Sequence, residues 1–190
     1  MKRLLVILTL ALGTASAFAQ TYVSGTIAGQ TWKQANSPYI VKGDVFVASL
    51  VIEPGVKVLF DGPFLFEVAG QLKAVGTEQD SIIFTRTDNA TGWKGIFFNF
   101  STPGTELRYC RIERSINGGL YIDRSFPKIG NCTISRNLIS GINKHGAGIF
   151  SNVSLVLSDC DISHNSITNN VGVSTDNNGG GIYIDGALTR

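Results

Sequence analysis

The chain has 190 residues, of which 22 are glycine and 16% are charged, and its formal net charge is +2. A chain of this size can form one domain with a hydrophobic core. The net charge comes from Lys2 and Arg3 at the N-terminus, so the rest of the chain lacks the basic excess typical of proteins that bind nucleic acid, and the sequence excludes that class of partner.

The first predicted element is a signal peptide over residues 1–19. Lys2 and Arg3 form its positive start, residues 4–12 form an apolar run, and residues 17–19 form a small-x-small cleavage site. The apolar run is too short to span a bilayer, and no later segment is long and apolar enough to do so. The sequence therefore predicts an exported chain, secreted or held at the outer cell surface, that starts at Gln20 and has no transmembrane span.

The next segments are predicted to be a cap and a series of coils. Residues 20–38 have a less regular pattern and are expected to cover the edge of the first coil. Residues 39–190 are expected to form the coils themselves. Short apolar runs with alternating character mark candidate strands at residues 45–47, 50–52, 56–60, 64–68, 71–75 and 82–85.

Two motifs repeat from residue 95 onward. The glycine motif, a glycine followed by alternating apolar residues, occupies 95–99, 119–123, 148–152 and 181–185. The cysteine motif occupies 110–115, 132–137 and 160–165. Like motifs favour stacking in register, with one coil per repeat and about 4.8 Å between coils, over hairpins. The sequence therefore predicts an all-β fold, a single right-handed parallel β-helix with an N-terminal cap.

The runs at residues 37–45, 52–58, 81–85 and 92–96 resemble the first coils of secreted bacterial right-handed β-helix repeat proteins. The resemblance covers nearly all of the chain after the signal peptide. It implies a pectin-lyase-like fold, export and often a C-terminal module for surface attachment. It implies no single activity, since such proteins include polysaccharide-degrading enzymes and adhesins.

The last copy of the glycine motif is followed by only a few residues, and its cysteine motif is missing. A solenoid normally needs a cap at each end. We therefore expect the chain to be truncated at its C-terminal end, with further coils or a sorting module beyond Arg190.

The three cysteines occupy equivalent positions in the repeat. Stacking would place Cys110, Cys132 and Cys160 in one inward column, with parallel side chains that suit a buried thiol better than a disulfide. No histidine shares that column, which argues against a metal site. At the following corner, Asn137 and Asn165 are expected to adopt the left-handed conformation.

Two outward columns are the candidate ligand-binding residues. The apolar residue after each glycine should point inward, so the next residue and the one two positions later point outward. The aromatic column is Phe97, Tyr121, Phe150 and Tyr183, and the polar column is Asn99, Asp123, Asn152 and Asp185. Such columns suit a polysaccharide, since sugar faces stack on rings and hydroxyl groups need hydrogen-bond partners. Alternatively, the rings stack on one another and hold the coils together without a ligand.

Three residues of the last cysteine motif are candidates for catalysis. On one extended strand, Asp159 and Asp161 would both face outward, about 6.5 Å apart. That separation is near the lower end of the range for an inverting glycosidase. His164 lies on the following turn. The repeat equivalents of Asp161 are Arg111 and Thr133, so an ordinary solvated surface is the alternative.

Lys144-His145-Gly146 resembles part of the histidine motif of β-helical polygalacturonases. The paired aspartates and the basic motif of that family are absent, as is the acidic cluster of calcium-dependent pectate lyases. The sequence therefore predicts an exposed loop here, with no metal ion and no cofactor.

These patterns leave three functional hypotheses. The first is an exported or surface scaffold that binds an extended polysaccharide along an outer face. The second is a polysaccharide lyase or glycoside hydrolase whose active site lies partly or wholly beyond this segment. The third is a structural stalk or adhesin.

Overall fold

The repeated motifs form strands that stack in register. The structure is a computed structural model, and it describes residues 20–141, 144–168 and 179–185. Leu120 of the glycine motif pairs with Ile96 on one side and Ile149 on the other, and Ile149 pairs with Ile182. Ile134 of the cysteine motif lies in the same way between Ile112 and Ile162. The predicted parallel stacking is therefore confirmed.

The described residues form eighteen strands and one short 3-10 helix, Gln34–Asn36. The strands of the first coils are β1 Thr21–Ile27, β2 Gln30–Trp32, β3 Tyr39–Ile52, β4 Lys57–Phe60, β5 Phe66–Val75 and β6 Ile82–Arg86. Those of the next two coils are β7 Ile96–Asn99, β8 Glu106–Arg108, β9 Cys110–Glu113, β10 Leu120–Asp123, β11 Lys128–Gly130, β12 Thr133–Ser135 and β13 Leu138–Ser140. The remaining strands are β14 Ile149–Ser151, β15 Leu157–Ser158, β16 Asp161–Ser163, β17 Ser166–Thr168 and β18 Ile182–Ile184.

The pairings divide the solenoid into three main faces, and every pairing between these strands is parallel. The β7 face stacks parts of β1, β3 and β5 with β7, β10, β14 and β18. The β8 face stacks β2 and parts of β3 and β5 with β8, β11 and β15. The β9 face stacks β4, β6, β9, β12 and β16 beside the start of β3. The chain is a right-handed parallel β-helix, as predicted.

The first coils have fewer breaks than the apolar runs suggested. The runs at 45–47 and 50–52 belong to one continuous strand, β3, which crosses a corner between two faces with a register shift between Val47 and Ser49. The next coil crosses the same corner at Gly70, where a Cβ atom would lie 1.8 Å from the carbonyl oxygen of Ala48. Pairing therefore continues through the bend because the residue there has no side chain.

Residues 20–38 are more regular than their sequence pattern indicated. β1 and β2 both pair in parallel with β3. Trp32 is 2% exposed and stacks on Tyr39, with 4.7 Å between the ring centroids. This segment thus covers the first edge of β3, while its division from the coils at residue 38 stays a prediction.

The core is a continuous apolar column inside the coils. Its aromatic part includes Phe60 stacked on Trp93 at 4.1 Å, with the indole Nε1 of Trp93 donating to the carbonyl oxygen of Glu113 at 2.9 Å. Both rings are fully buried. Hydrogen bonding of the indole removes the cost of burying its polar edge.

Two sequence-based predictions concern the chain ends, and a third concerns transmembrane spans. The signal peptide falls on residues 1–19, which lie outside the described residues, and so does the segment after Asp185. Within the described ranges, no helix has the length and apolar character needed to cross a membrane.

The asparagine corner differs from its prediction. The left-handed residues after the cysteine-motif strands are Arg114, Arg136 and His164, with φ of 60°, 56° and 56°. The asparagines come one residue later, and Asn137 is 0% exposed, with its side chain inside the solenoid. The expectation that asparagine supplies the left-handed conformation is wrong, because its amide is used for buried hydrogen bonds instead.

The cysteines form the expected inward column of free thiols. Cys110 and Cys132 are buried, and Cys160 is partly exposed. Burial raises the pKa of the Cys110 thiol well above its ordinary value. The reactive form of a thiol is the thiolate, so access and ionisation both disfavour reaction of Cys110. The hydrogen bond with Cys110 lowers the pKa of Cys132, so burial alone protects that thiol.

We expect a maleimide reagent to modify only Cys160 in the folded protein, slowly, and all three cysteines after unfolding in urea. Burial also raises the pKa of Cys160, which slows the reaction but does not block access to its sulfur. Peptide mass mapping of each sample identifies the modified residue, and Cys160→Ser provides the unreactive control. Modification of Cys110 or Cys132 in folded protein would contradict the buried column.

Candidate functional site

The aromatic column lies on the outside of the β7 face. Strand pairing places Phe97, Tyr121, Phe150 and Tyr183 in one row across β7, β10, β14 and β18. Tyr121 is 43% exposed, and the other three rings are half-buried. The apolar residue before each of the first three rings is buried, as alternation along a strand requires.

The rings of this column cover one another. The centroids of Tyr121 and Phe150 are 4.6 Å apart with 17° between planes, and those of Phe150 and Tyr183 are 5.8 Å apart with 22°. Phe97 meets Tyr121 edge to face at 5.0 Å. Such pairs contribute about 0.5–1.5 kcal/mol each beyond their burial. The geometry favours packing between coils for the ring faces, and it leaves ring edges and hydroxyl groups for contact with a ligand.

The polar column is also linked from coil to coil. Asn99 Nδ2 donates to Glu67 Oε1 at 2.8 Å, and Asn152 Nδ2 donates to Asp123 Oδ1. Asn152 Oδ1 accepts the backbone N–H of Arg124 at 2.9 Å. Asn99 is therefore held by the carboxylate of Glu67, and Asn152 by that of Asp123, each across one boundary between coils. Each carboxylate accepts up to about four hydrogen bonds, which leaves capacity for ligand hydroxyl groups.

Asp123 is the best-held carboxylate of the polar column. The guanidinium of Arg124 donates to both of its oxygens at 3.1 Å, and these bonds, with that from Asn152, lower the pKa of Asp123. Arg124 also lies 4.0 Å from the centroid of the Phe100 ring. Burial, followed by the negative charge of Asp123, raises the pKa of Tyr121. At neutral pH the face therefore presents a carboxylate acceptor beside a neutral phenol donor.

A cleft of about 250 Å³ opens beside the aromatic column. Its walls include Tyr121 and Phe150 from the column, Ile139 from β13, and Asn117 and His145 from the segments before β10 and β14. Ligand pockets for drug-sized molecules have volumes of about 300–1,000 Å³, so this cleft suits a single ring-sized group.

Sequence reasoning did not assign His145 to a candidate ligand site. Its imidazole stacks on Tyr183, with ring centroids 4.4 Å apart and 19° between planes, and the residue is half-buried. Lys144 is half-buried as well and Gly146 is buried, so the expectation of an exposed Lys144-His145-Gly146 loop is wrong. The pairing joins residues of two coils, which a local motif does not reveal.

The three candidate catalytic residues do not lie on one strand. Asp161 lies in β16 and pairs with Thr133, whereas Asp159 has a φ of 52° in the turn between β15 and β16. His164 follows β16 with a φ of 56°. The two aspartates do not share one extended strand, so the separation expected from strand rise does not apply. All three are exposed, and among the described residues no hydrogen bond or ion pair joins them.

A larger cleft, of about 560 Å³, crosses the β9 face and is lined by charged residues. Arg111 donates to Glu113 at 2.9 Å, and Lys42 forms an ion pair with Asp61, which also accepts the Thr87 hydroxyl at 2.9 Å. Asp61 and Glu113 thus each have a cationic partner. The pair of Lys42 and Asp61 joins β3 to the turn after β4, whereas Arg111 and Glu113 both lie in β9. Sequence reasoning missed the pair of Lys42 and Asp61 because its members lie on successive coils.

Comparison with known proteins identifies one family. The model for the right handed beta helix region matches residues 66–188, which is more than half of the chain. No curated protein and no solved structure matches the chain. In the part of the chain that the structure describes, no group of three histidine, cysteine, aspartate or glutamate residues is placed to hold a metal ion.

Proposed function

The chain belongs to the right-handed β-helix family, and on this premise we propose that it is an exported or cell-surface scaffold that binds an extended polysaccharide along its β7 face. The observation that carries the proposal is the in-register row of outward residues across four strands, with a ring-sized cleft beside it. Export rests on the signal peptide predicted at residues 1–19.

Repetition is the property that a polysaccharide and this face share. Parallel strands repeat at about 4.8 Å, so equivalent side chains recur at nearly constant spacing along the axis. A polysaccharide likewise presents equivalent hydroxyl groups at regular intervals. The amides and carboxylates of the polar column provide donors and acceptors for them, with Asp123 and Asn152 already fixed by their neighbours. Groups fixed in advance lose less entropy on binding.

The cleft supplies the second element of the proposed site. One sugar ring would enter beside Tyr121 and Phe150, and the Tyr121 hydroxyl would reach its polar edge. Because the faces of these rings are covered, contact would be made through ring edges and the hydroxyl group rather than by flat stacking. The aromatic column then acts as a rigid wall.

A structural stalk or adhesin remains the second candidate, because one observation favours it. The stacked rings of the aromatic column and the hydrogen bond from Asn152 to Asp123 stabilise the contact between coils whether or not a ligand binds. Polysaccharide retention and chain cleavage, measured together on the purified protein, distinguish scaffold, stalk and enzyme.

We expect Tyr121→Ala to weaken binding to the retained polysaccharide by roughly tenfold, a loss of about 1.4 kcal/mol. The change removes the cleft wall and the hydroxyl group. Affinity electrophoresis in gels that contain xylan, glucomannan, polygalacturonate or alginate measures retention, and a reducing-end assay measures cleavage. Tyr121→Phe keeps the stacked ring and should lose only the share of affinity due to the hydroxyl.

Tyr22→Ala is the matched control, since Tyr22 is a 63% exposed tyrosine of β1 outside this face. It should bind as the unmodified protein does. Equal retention of Tyr121→Ala and Tyr22→Ala by every polysaccharide would contradict binding at the β7 face. Release of new reducing ends would replace the scaffold by the enzyme hypothesis.

A further inference from the structure

A second groove lies on the β8 face, at the turns that lead into β11 and β15. Its volume is about 550 Å³, within the range of ligand sites. It shares no lining residue with the cleft beside the aromatic column. Its residues come from three successive coils and include the exposed apolar side chains of Phe126 and Val156.

Phe126 gives this groove an open aromatic face. The side chain is 73% exposed, and no other ring of the described residues stacks on it. Val156, one coil further along, is 79% exposed. The aromatic column differs in this respect, because its ring faces are covered. Apolar side chains exposed side by side in a groove are a typical feature of binding sites.

The rim of the groove carries hydrogen-bonding groups. Lys128 pairs in register with Glu106, and the Nε atom of Arg108 lies 3.9 Å from Glu106 Oε1. Gly130 lies between Arg108 and Ser158 in the same stack of strands. A Cβ atom there would lie 2.6 Å from Ser158 Oγ, so glycine leaves a notch in which that hydroxyl group sits. The rim therefore offers a carboxylate, two cations and a hydroxyl group.

We propose that this groove is a second saccharide-binding site, in which a sugar ring lays its C–H face on Phe126 and directs its hydroxyl groups to Glu106, Arg108 and Ser158. A pyranose ring has an apolar face and a polar edge, and the groove has the same two features in matching positions. An apolar peptide side chain could contact Phe126 and Val156 but would leave the polar rim without partners.

This inference takes its ligand class from the proposed function but does not depend on the β7 face as a site. If both sites bind one polymer, the second contact forms at a high effective concentration. Retention then exceeds that of either site alone.

The test compares Phe126→Ala, Tyr121→Ala and the double variant on the same polysaccharide gels, with Tyr22→Ala as the control. We expect Phe126→Ala to weaken retention roughly tenfold and the double variant to abolish it. Phe126→Tyr keeps the open ring and should retain binding. Because Phe126 is 73% exposed, its truncation should leave the melting temperature unchanged, which a thermal scan checks.

The outcomes separate the two proposals. Loss of binding in Tyr121→Ala but not in Phe126→Ala would overturn the second site and leave the β7 site standing. Loss in Phe126→Ala alone would support the groove and remove the β7 face as the site. Retention of no polysaccharide by the unmodified protein overturns both. Phe126→Tyr failing like Phe126→Ala overturns the stacking role of the ring.

Discussion

Replacing Gly148 by alanine should lower the free energy of unfolding by about 3 kcal/mol. A Cβ atom at this position would lie 2.4 Å from the carbonyl oxygen of Gly181 and 2.8 Å from both Asn165 Nδ2 and Ile162 Cγ2. The same carbonyl oxygen of Gly181 accepts the backbone N–H of Ile149 at 2.9 Å. Any shift that makes room for the methyl group therefore disturbs a hydrogen bond between two coils.

Gly181→Ala is the matched control for that experiment. Gly181 occupies the same position in the next copy of the glycine motif, but a Cβ atom there meets nothing closer than Ile162 Cγ2 at 3.9 Å. Alanine also restricts the unfolded chain, so this variant should be unchanged or more stable by about 0.5 kcal/mol. Urea unfolding of both variants measures the difference. Equal stabilities would show that the contact with the neighbouring coil does not select glycine.

This contact explains why the glycine motif begins with glycine. Gly119 repeats the geometry, with a Cβ atom 2.7 Å from the carbonyl oxygen of Gly148, and at Gly95 the corresponding distance to the carbonyl oxygen of Gly119 is 2.9 Å. The coils approach closely at these points, where a residue without a side chain fits. The sequence shows the repeat, and the structure supplies its steric cause.

The fold was predictable because the sequence motifs that determine it repeat along the chain. Alternation along each motif determines which residues point inward, and repetition of the motif determines which residues are neighbours. Leu120 and Ile149 follow both rules, and the structure pairs them as expected. The join of the runs at 45–47 and 50–52 was not predictable, since a corner without a break has no turn residue to mark it.

The sequence predicted which residues form the two outward columns of the candidate site, but not how their side chains are arranged. The two outward columns could be assigned because side-chain direction follows from strand alternation. The orientation of the rings could not, because stacking of Tyr121 on Phe150 depends on the rotamers of both side chains. His145 and the Phe126 groove depend on turns whose paths the repeat does not determine. The positions of His145 and Phe126, which lie in irregular turns, therefore could not be predicted from the repeat.

Replacing Asn137 by alanine should lower the free energy of unfolding by about 3–5 kcal/mol, since two buried backbone groups lose their partners at once. The side chain is 0% exposed. Its Oδ1 atom accepts the backbone N–H of Ser115 at 3.0 Å, and its Nδ2 atom donates to the carbonyl oxygen of Ile112 at 3.0 Å. Each unsatisfied group costs about 1–3 kcal/mol, and the cavity adds to this cost.

Asn165→Ala and Asn89→Ala are the comparison variants, and both should lower the free energy of unfolding by less than Asn137→Ala does. Asn165 bonds to the coil before it in the same way, at 3.0 Å to the N–H of Asn137 and 2.8 Å to the carbonyl oxygen of Ile134, but it is only partly buried. Water can replace some of the hydrogen bonds of the Asn165 amide, so Asn165→Ala should lower the free energy of unfolding by less than Asn137→Ala. Asn89 is exposed, and its truncation should change stability by less than about 0.5 kcal/mol.

Amide hydrogen exchange at Ser115 then separates local from global loss. If the Asn137 side chain is the partner of that N–H, exchange at Ser115 should accelerate in Asn137→Ala by more than the fall in global stability explains. Equal acceleration at all core amides would show that the loss is global and that the Asn137 side chain gives the Ser115 N–H no local protection. A fall in the free energy of unfolding of less than about 1 kcal/mol would show that the buried amide of Asn137 does not hold the coils together at this corner.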